Sequence, residues 1–466
     1  MNFTAELGRY TKKNLLALRG SARAQANLKN ATYGVGEYVV LPLTMLLAAP
    51  FLLHRLGLPQ YGLWMLVTAT ITSSGFISTG FGDAALKYAA TYRGRNDRKR
   101  LEETLHVNLM INLILGSALA LLIWYGSPFA VHGVFKIEPA LQRAGLTVFR
   151  IGVVILLVRS VESVFVGALR AHERYGPAVQ INVLSRVAAV CCACILVSKG
   201  YGIVAIMKGT LGLATVSAGL QITAARAIMG PISLCPTIGR HAFSEVLSFG
   251  CFSWLQTLAG CIFSYADRLL IGVMLGTSSV AYYSVCVQAA QPIHGLIAAG
   301  LHFLFPHLSA RLSVAPATEL KPLVLSILTL NVVCAILFSV PLTLLSKPIL
   351  HLWMGVTFAQ QAWVVLSIVA MGFGLLALNV SGHYTLLALG KVKLVALLNL
   401  AGGSAMLAAM AFLTPRFGLT GAAVGRLVYG PITLLMYCQL RTMLTEGTVP
   451  LSGGVPLLAI PGPELK

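Results

Sequence analysis

Runs of about 20 apolar residues recur from Thr32 almost to Met443, separated by short polar connections. Each is long enough to cross the roughly 30 Å hydrocarbon layer of a bilayer as a helix. That layer offers no water to backbone N–H and C=O groups, so a spanning segment must satisfy them internally, as a helix does. The pattern predicts an all-α, multi-pass integral membrane protein. With 57% hydrophobic and 10% charged residues over 466 positions, little chain is left for anything else. Twelve spans fit, at 32–53, 61–88, 104–125, 146–168, 177–198, 202–224, 247–272, 280–305, 321–345, 362–387, 392–413 and 419–441. The seventh apolar stretch, Ser244 to Gly276, is longer than one span requires.

The connections alternate in charge. One side carries Arg9, Lys12, Lys13, Arg19, Arg23 and Lys29, then Arg93, Arg95, Arg98, Lys99 and Arg100, then Arg170/Arg174, Arg226/Arg240, Arg311/Lys321, Lys391/Lys393 and Arg441/Lys466. The other carries only Arg55, Lys136, Arg143, Lys199, Lys347 and Arg416. Lys and Arg concentrate in cytoplasmic loops, so both termini are expected inside. Trp64, Trp124, Trp353 and Trp363 fall near the sparsely charged side, where an interfacial aromatic belt would sit. This topology accounts for the formal charge of +20, and no nucleic-acid-binding motif accompanies it. The expected division is a basic cytoplasmic segment (1–31, a surface helix), a first lobe (32–225), a linker (226–246), a second lobe (247–441) and a cytoplasmic tail (442–466). Cys191, Cys192 and Cys194 lie in an apolar helix without further ligands, so they read as packing residues rather than a metal or redox site.

The two halves echo each other. Arg174 stands to Lys391 as Asn182 stands to Asn399, at the same separation, and Lys208 and Arg426 match with one residue of slip. Leu56-Gly57…Tyr61 and Leu275-Gly276…Tyr282 repeat in the same manner. Internal repeats with a central site between them are a common transporter plan.

Within the spans stand Lys87, Arg150, Arg159, Arg186, Lys208, Arg268 and Arg426, against Glu37, Asp83, Glu162 and Asp267. A charge at the bilayer centre costs about 2.5–3.5 kcal/mol on insertion scales, so such groups face a cavity or a partner. Cations in excess of acids call for an anion. Arg159 and Glu162 are one turn apart and read as a structural ion pair, while Asp267 and Arg268 are adjacent and must pair with other groups. Arg150 is placed to snorkel to the surface. Arg186, Lys208, Arg268 and Arg426 are the candidate substrate-binding cations. Asp267, Asp83 and Glu37 are candidates to hold a coupling proton or Na+; no other cofactor or metal is called for. His294, His302 and His383 read as packed or cavity-lining, and Pro42 as a hinge.

The whole chain resembles the polysaccharide (O-antigen type) flippases of the multidrug/oligosaccharidyl-lipid/polysaccharide exporter superfamily. The carrying segments are GVGEYVVLPLTMLLAAPFLLHRLGLPQYGLWML, GFGDAALKYAATYRGRND, RAHERYG, ADRLLIGVMLGTSSVAYYSV and LALGKVKLVALLN. Those flippases often look like D-x-G at the end of the second span, where this chain has Ser78-Thr79-Gly80-Phe81-Gly82-Asp83. The resemblance implies two six-helix lobes around a cationic cavity in the bacterial cytoplasmic (inner) membrane. It implies a lipid-linked oligosaccharide, on an undecaprenyl pyrophosphate carrier, as substrate moved from inner to outer leaflet. It also implies that a glycan polymerase and glycosyltransferases of the same pathway act alongside. A multidrug exporter of the same superfamily is the alternative, disfavoured by the net-positive interior. A membrane polymerase or ligase would need catalytic groups on a sizeable outer loop, and the longest outer connection here is Gly126 to Gly145.

Overall fold

A computed structural model of the protein describes residues 22–446, leaving aside 96, 173, 230–239 and most of 302–320. The expected basic segment up to residue 21 and the tail from 447 onward lie outside the described residues. Everything described is helix or short connection; among the described residues there is no β-strand. The protein is an all-α membrane protein built from twelve spans in two six-helix halves.

Among the described residues, seven continuous helices are individually long and apolar enough to cross a membrane, and the difference from twelve lies partly in how spans are joined. Ala22–Thr79 contains spans 1 and 2, joined at Gly57, where φ 76° and ψ 162° turn the chain without a loop. Val392–Leu427 bends in the same way at Gly418 (φ 58°, ψ −139°), joining spans 11 and 12. Only glycine adopts such conformations without a Cβ clash. Gly276 (φ 87°), between spans 7 and 8, and Gly200 (φ 82°), between spans 5 and 6, occupy the repeat-related turns.

Several spans run longer than their apolar cores. Span 3 extends over Arg98–Phe129 and continues as a π turn, Ala130–Val134, and span 4 begins at Pro139. The expected outer loop from Gly126 to Gly145 therefore shrinks to a few extended residues. Pro139 opens the helix at a position where the missing N–H costs nothing. Span 7 comprises Arg240–Cys261, a π turn at Ile262–Ala266, and Asp267–Met274, which accounts for its excess length. After span 9 (Lys321–Leu344) a short helix, Ser346–Met354, precedes span 10 (Val356–Ala388). The sequence reading did not separate this short helix.

One apolar core runs through both halves, joining Leu52, Leu66 and Leu156 to Ile271, Tyr283 and Leu366. Large apolar side chains such as Leu47, Leu184, Leu344 and Leu352 stand outward, as they should where the solvent is lipid. The halves meet along spans 2, 7 and 8, with two groups of contacts toward the two faces, and Trp353 Nε1 also donates to the Leu46 carbonyl of span 1 at 3.1 Å. Near the sparsely charged face, Gly62 packs on the Thr277 carbonyl, Tyr61 bonds Gln288 at 3.3 Å, and the Lys136 N–H donates to the Gly272 carbonyl at 3.2 Å. Nearer the basic face, Trp254 Nε1 donates to the Ile77 carbonyl at 2.9 Å, and Gly250 accepts the Phe81 ring.

A Cβ on Gly62 would collide with the Thr277 carbonyl. Gly62→Val is expected to cost about 1–3 kcal/mol, the usual range for overpacking. It should also raise labelling of a cysteine placed at Lys136 by a membrane-impermeant maleimide. Unchanged labelling and an unchanged thermal midpoint would contradict this contact.

Candidate functional site

The deepest charged group is Asp267, fully buried at the first turn after the span 7 π turn. Its Oδ2 pairs with Arg426 Nη1 from span 12 and accepts the Tyr283 hydroxyl of span 8 at 2.9 Å. Arg426 Nη1 also reaches the Tyr283 oxygen at 3.2 Å, and its guanidinium lies over the Phe373 ring at 4.8 Å. The Asp267 Oδ1 takes the Arg268 backbone N–H at 2.7 Å. The network ties spans 7, 8, 10 and 12 into one unit. Asp267 and Arg426 entered as separate candidates, one for a coupling ion and one for substrate; the structure joins them as an ion pair, with Arg426 only 4% exposed. A π turn, a feature frequent at functional positions, immediately precedes Asp267 and Arg268, whose side chains take different partners.

Arg268 and Arg186, from opposite halves, both lie within electrostatic reach of Tyr265. Arg268 packs over Tyr265 at 5.8 Å and donates from Nη1 to the Ser264 carbonyl at 3.3 Å, while its buried Nε has no hydrogen-bond partner. Arg186, exposed on span 5, donates from Nε to Asn182 Oδ1 at 3.0 Å. The charges of both arginines act on the Tyr265 hydroxyl, and that of Arg268 also acts on Tyr61. Tyr265 stacks obliquely on Phe76 of span 2, 6.0 Å between centroids. Two cations, one from each half, thus act on one phenol, Tyr265, where the halves meet.

Lys208 lies elsewhere. It stands on the exposed stripe of span 6 with Gly212, Thr215 and Gly219, opposite the face that buries Met207, Ala214 and Ser217. Its repeat counterpart Arg426 is buried, so matched sequence positions hold unlike environments. Arg159 Nη1 contacts Glu162 Oε2 at 2.9 Å. Arg150 lies over Trp124 at 5.0 Å. The side chains of Glu37 and Asp83, and the whole of His302, lie outside the described residues. His294 and His383 are brought near enough to interact electrostatically. Among the described residues no His, Cys, Asp and Glu cluster could hold a metal. A cleft of about 530 Å³ at the sparsely charged face is lined by Lys136, Met274, Leu275, Thr414, Pro415 and Gly418, and one of about 200 Å³ at the basic face includes Arg93, Arg98 and His172. Neither reaches the arginines between the halves.

Sequence reasoning missed the buried layers joining spans within each half. Ser217 bonds Glu162 between spans 6 and 4, and Thr433 bonds Asn379 between spans 12 and 10. Glu162 and Asn379 are separated as Arg174 and Lys391 are; the Ser217–Thr433 interval is one residue shorter. That offset was the available signal.

Twelve spans in two repeated halves, with a cationic space between them, define a multi-pass protein of the two-lobed transporter fold. Residues 28–311 match the family described as polysaccharide biosynthesis protein, and the chain belongs to that family. It is 22% identical over 404 residues to a putative O-antigen transporter of Shigella flexneri, covering 85% of this chain and 93% of that one. A probable multidrug resistance protein NorM of Rhizobium meliloti is 22% identical over 249 residues, 51% of this chain and 52% of its own. Among solved structures, an inward-facing multidrug resistance MATE family transporter of the MOP superfamily superposes with TM-score 0.75 at 15% identity, covering 89% of this chain and 98% of that one. The lipid II flippase MurJ, inward closed, superposes with TM-score 0.70 at 14% identity, covering 89% and 88%. The protein shares the fold of that transporter superfamily.

Removing one member of a buried ion pair costs about 3–5 kcal/mol, because the other is left uncompensated. Arg426→Ala should therefore lower the thermal midpoint in detergent sharply, and Asp267→Asn combined with Arg426→Met should recover part of the loss. Arg186→Ala should leave the midpoint close to wild type. Equal midpoints for Arg426→Ala and Arg186→Ala would refute this assignment.

Proposed function

We propose that the protein is a flippase that moves an undecaprenyl-pyrophosphate-linked oligosaccharide from the inner to the outer leaflet of the bacterial cytoplasmic membrane, in surface polysaccharide biosynthesis. The observation that carries this reading is that Arg186 and Arg268, from opposite halves, both act on Tyr265, while the buried Arg268 Nε has no hydrogen-bond partner. Membership of the polysaccharide biosynthesis family and the near full-length match to a putative O-antigen transporter support the substrate class. A pyrophosphate offers oxygens to several guanidinium N–H groups at once, and such charge-assisted contacts are the strong ones. Tyr265, half-buried beside Arg268, suits stacking on a sugar ring. The lipid tail stays in the bilayer while the two lobes alternate access. Arg426 joins the substrate only in a conformation that opens its pair with Asp267, and Lys208 offers a further cation on the exposed stripe of span 6. A polymerase and glycosyltransferases of the same pathway are the expected functional partners.

A second reading, export of drugs, is favoured by the half-length match to NorM and by the MATE-like fold. Cationic drugs would meet Arg186 and Arg268 unfavourably. In a deletion strain complemented with variants, Arg186→Ala and Arg268→Ala should each reduce surface polysaccharide roughly tenfold, in keeping with about 1.5–3 kcal/mol per hydrogen bond to a charged group. Lysine at either position should rescue partly, and Lys208→Ala should have the smaller effect. Full surface polysaccharide in the Arg186→Ala/Arg268→Ala strain, or drug sensitivity of the deletion with polysaccharide intact, would reject the reading.

A further inference from the structure

Two indoles of the second half donate to main-chain carbonyls of the first. Trp254 Nε1 reaches the Ile77 carbonyl at 2.9 Å, and Trp353 Nε1 reaches the Leu46 carbonyl at 3.1 Å. Both acceptors are carbonyls that their own helix does not satisfy. Ile77 lies in the last turn of Ala22–Thr79, where carbonyls run out of intrahelical donors. Leu46 lies within the same helix, and its partner should be the N–H four residues on; that residue is Pro50, which has none. The residues around the gap, Ala48, Ala49, Phe51 and Leu52, carry no side-chain donor. Pro128 of span 3 shows the local solution: Ser127 Oγ, beside it, donates to the freed Trp124 carbonyl at 2.9 Å. At Pro50 the donor comes instead from the other half.

Trp353 stands on the short helix Ser346–Met354, and that helix is tied to its own half. Leu350 is fully buried, and Lys347 Nζ lies over the Trp363 ring of span 10 at 6.0 Å. Leu352 is 91% exposed, so the helix lies on the surface with one face inward. The half-buried Trp353 ring packs on the apolar core to which Ala48 and Leu52 of span 1 belong. The donor therefore travels with the second lobe and the acceptor with the first. A carbonyl already bonded within its helix would gain little from an indole. One freed by proline, in a layer without water, depends on a neighbouring helix for its partner. The bond is still easily exchanged, because parting the lobes admits water to the carbonyl, and a neutral hydrogen bond traded for water changes the free energy little.

We propose that Trp353 is a latch residue that sets the balance between lobe arrangements. Its indole N–H holds the carbonyl that Pro50 frees, keeping the lobes together along the part of span 1 that leads to the Gly57 turn. Opening toward the sparsely charged face exchanges that indole for water. Trp353 is a positioning residue: it acts on the lobes and touches no substrate. Trp254, on Ile77, is the corresponding contact nearer the basic face, and it stays made when the Trp353 contact parts. The latch rests on the movement of the lobes in the transport reading, and is independent of what is carried.

The test is amide hydrogen–deuterium exchange of the purified full chain in detergent. Trp353→Phe keeps the ring and removes the donor. It should speed exchange in peptides around Leu46 and Trp353 by roughly two- to tenfold, the worth of one net hydrogen bond. Peptides around Ile77 and Trp254 should exchange no faster than in the wild type. Pro50→Ala gives the Leu46 carbonyl a donor from its own helix, so the indole no longer has that acceptor to itself. Alone it should speed exchange at the same peptides, which keeps the test decisive if Trp353→Phe fails to fold. Combined with Trp353→Phe it should give less than the product of the two single effects, the mark of residues that act through one contact. Unchanged exchange around Leu46 in both single variants would overturn the proposal. So would equal speeding at both ends of the seam with a lowered thermal midpoint, which is what a purely structural contact gives, or independent effects of the two substitutions. The expected exchange pattern, found together with intact surface polysaccharide in the deletion strain, would remove the glycan reading and leave the latch standing.

Discussion

A polar group in the hydrocarbon layer has no water to fall back on, and this one constraint organises the molecule. Backbone groups are satisfied by helices throughout, and where the helices bend the turn is made by glycine, as at Gly57 and Gly418. Side-chain polarity is collected into layers that cross each half. Asp267 receives the Arg426 guanidinium, the Tyr283 hydroxyl and a backbone N–H, which is full compensation for a carboxylate with no exposure. Glu162 is compensated more thinly, and Arg268 retains a buried donor with nothing to receive it.

This changes what the excess of cations means. Counting charges along the spans treats Arg186, Lys208, Arg268 and Arg426 alike. With Arg426 paired to Asp267, Arg186 and Arg268 are the cations of this set that act on Tyr265, where the halves meet. One is contributed by each half, so a change in the relation of the lobes changes the distance between the charges. An anion bridging them would bind most tightly in the arrangement that brings them together, and its release would accompany their separation.

Much of the architecture was legible in the sequence because it rests on local periodicity and charge. The twelve apolar runs, the alternating basic connections and the repeat of Arg174 and Lys391 required no knowledge of contacts. The extra helical turns beyond Phe129 and before Gly145 were hidden, because Gly, Pro and His there resemble a loop while still permitting helix. The Asp267–Arg426 pair was not legible, since its members lie 159 residues apart and no periodicity links them. The sequence could say that Asp267 and Arg268 must find different partners; it could not say which. The Glu162–Ser217 layer is intermediate, visible only when the second half is laid over the first.

Two groups of contacts mark the ends of the seam between the halves, with Ser73–Cys261 and Phe76–Tyr265 lying between them. One joins Gly62, Tyr61 and Lys136 to Thr277, Gln288 and Gly272; the other joins Ile77 and Phe81 to Trp254 and Gly250. Along span 2 they are separated by about 20 Å of helix rise. They share no residue, so undoing one leaves the other fastened. A conduit open to both sides of the membrane at once would require two separate ruptures, and the free energies of distant, independent contacts add. A seam fastened toward both faces would keep the membrane sealed even with one end parted.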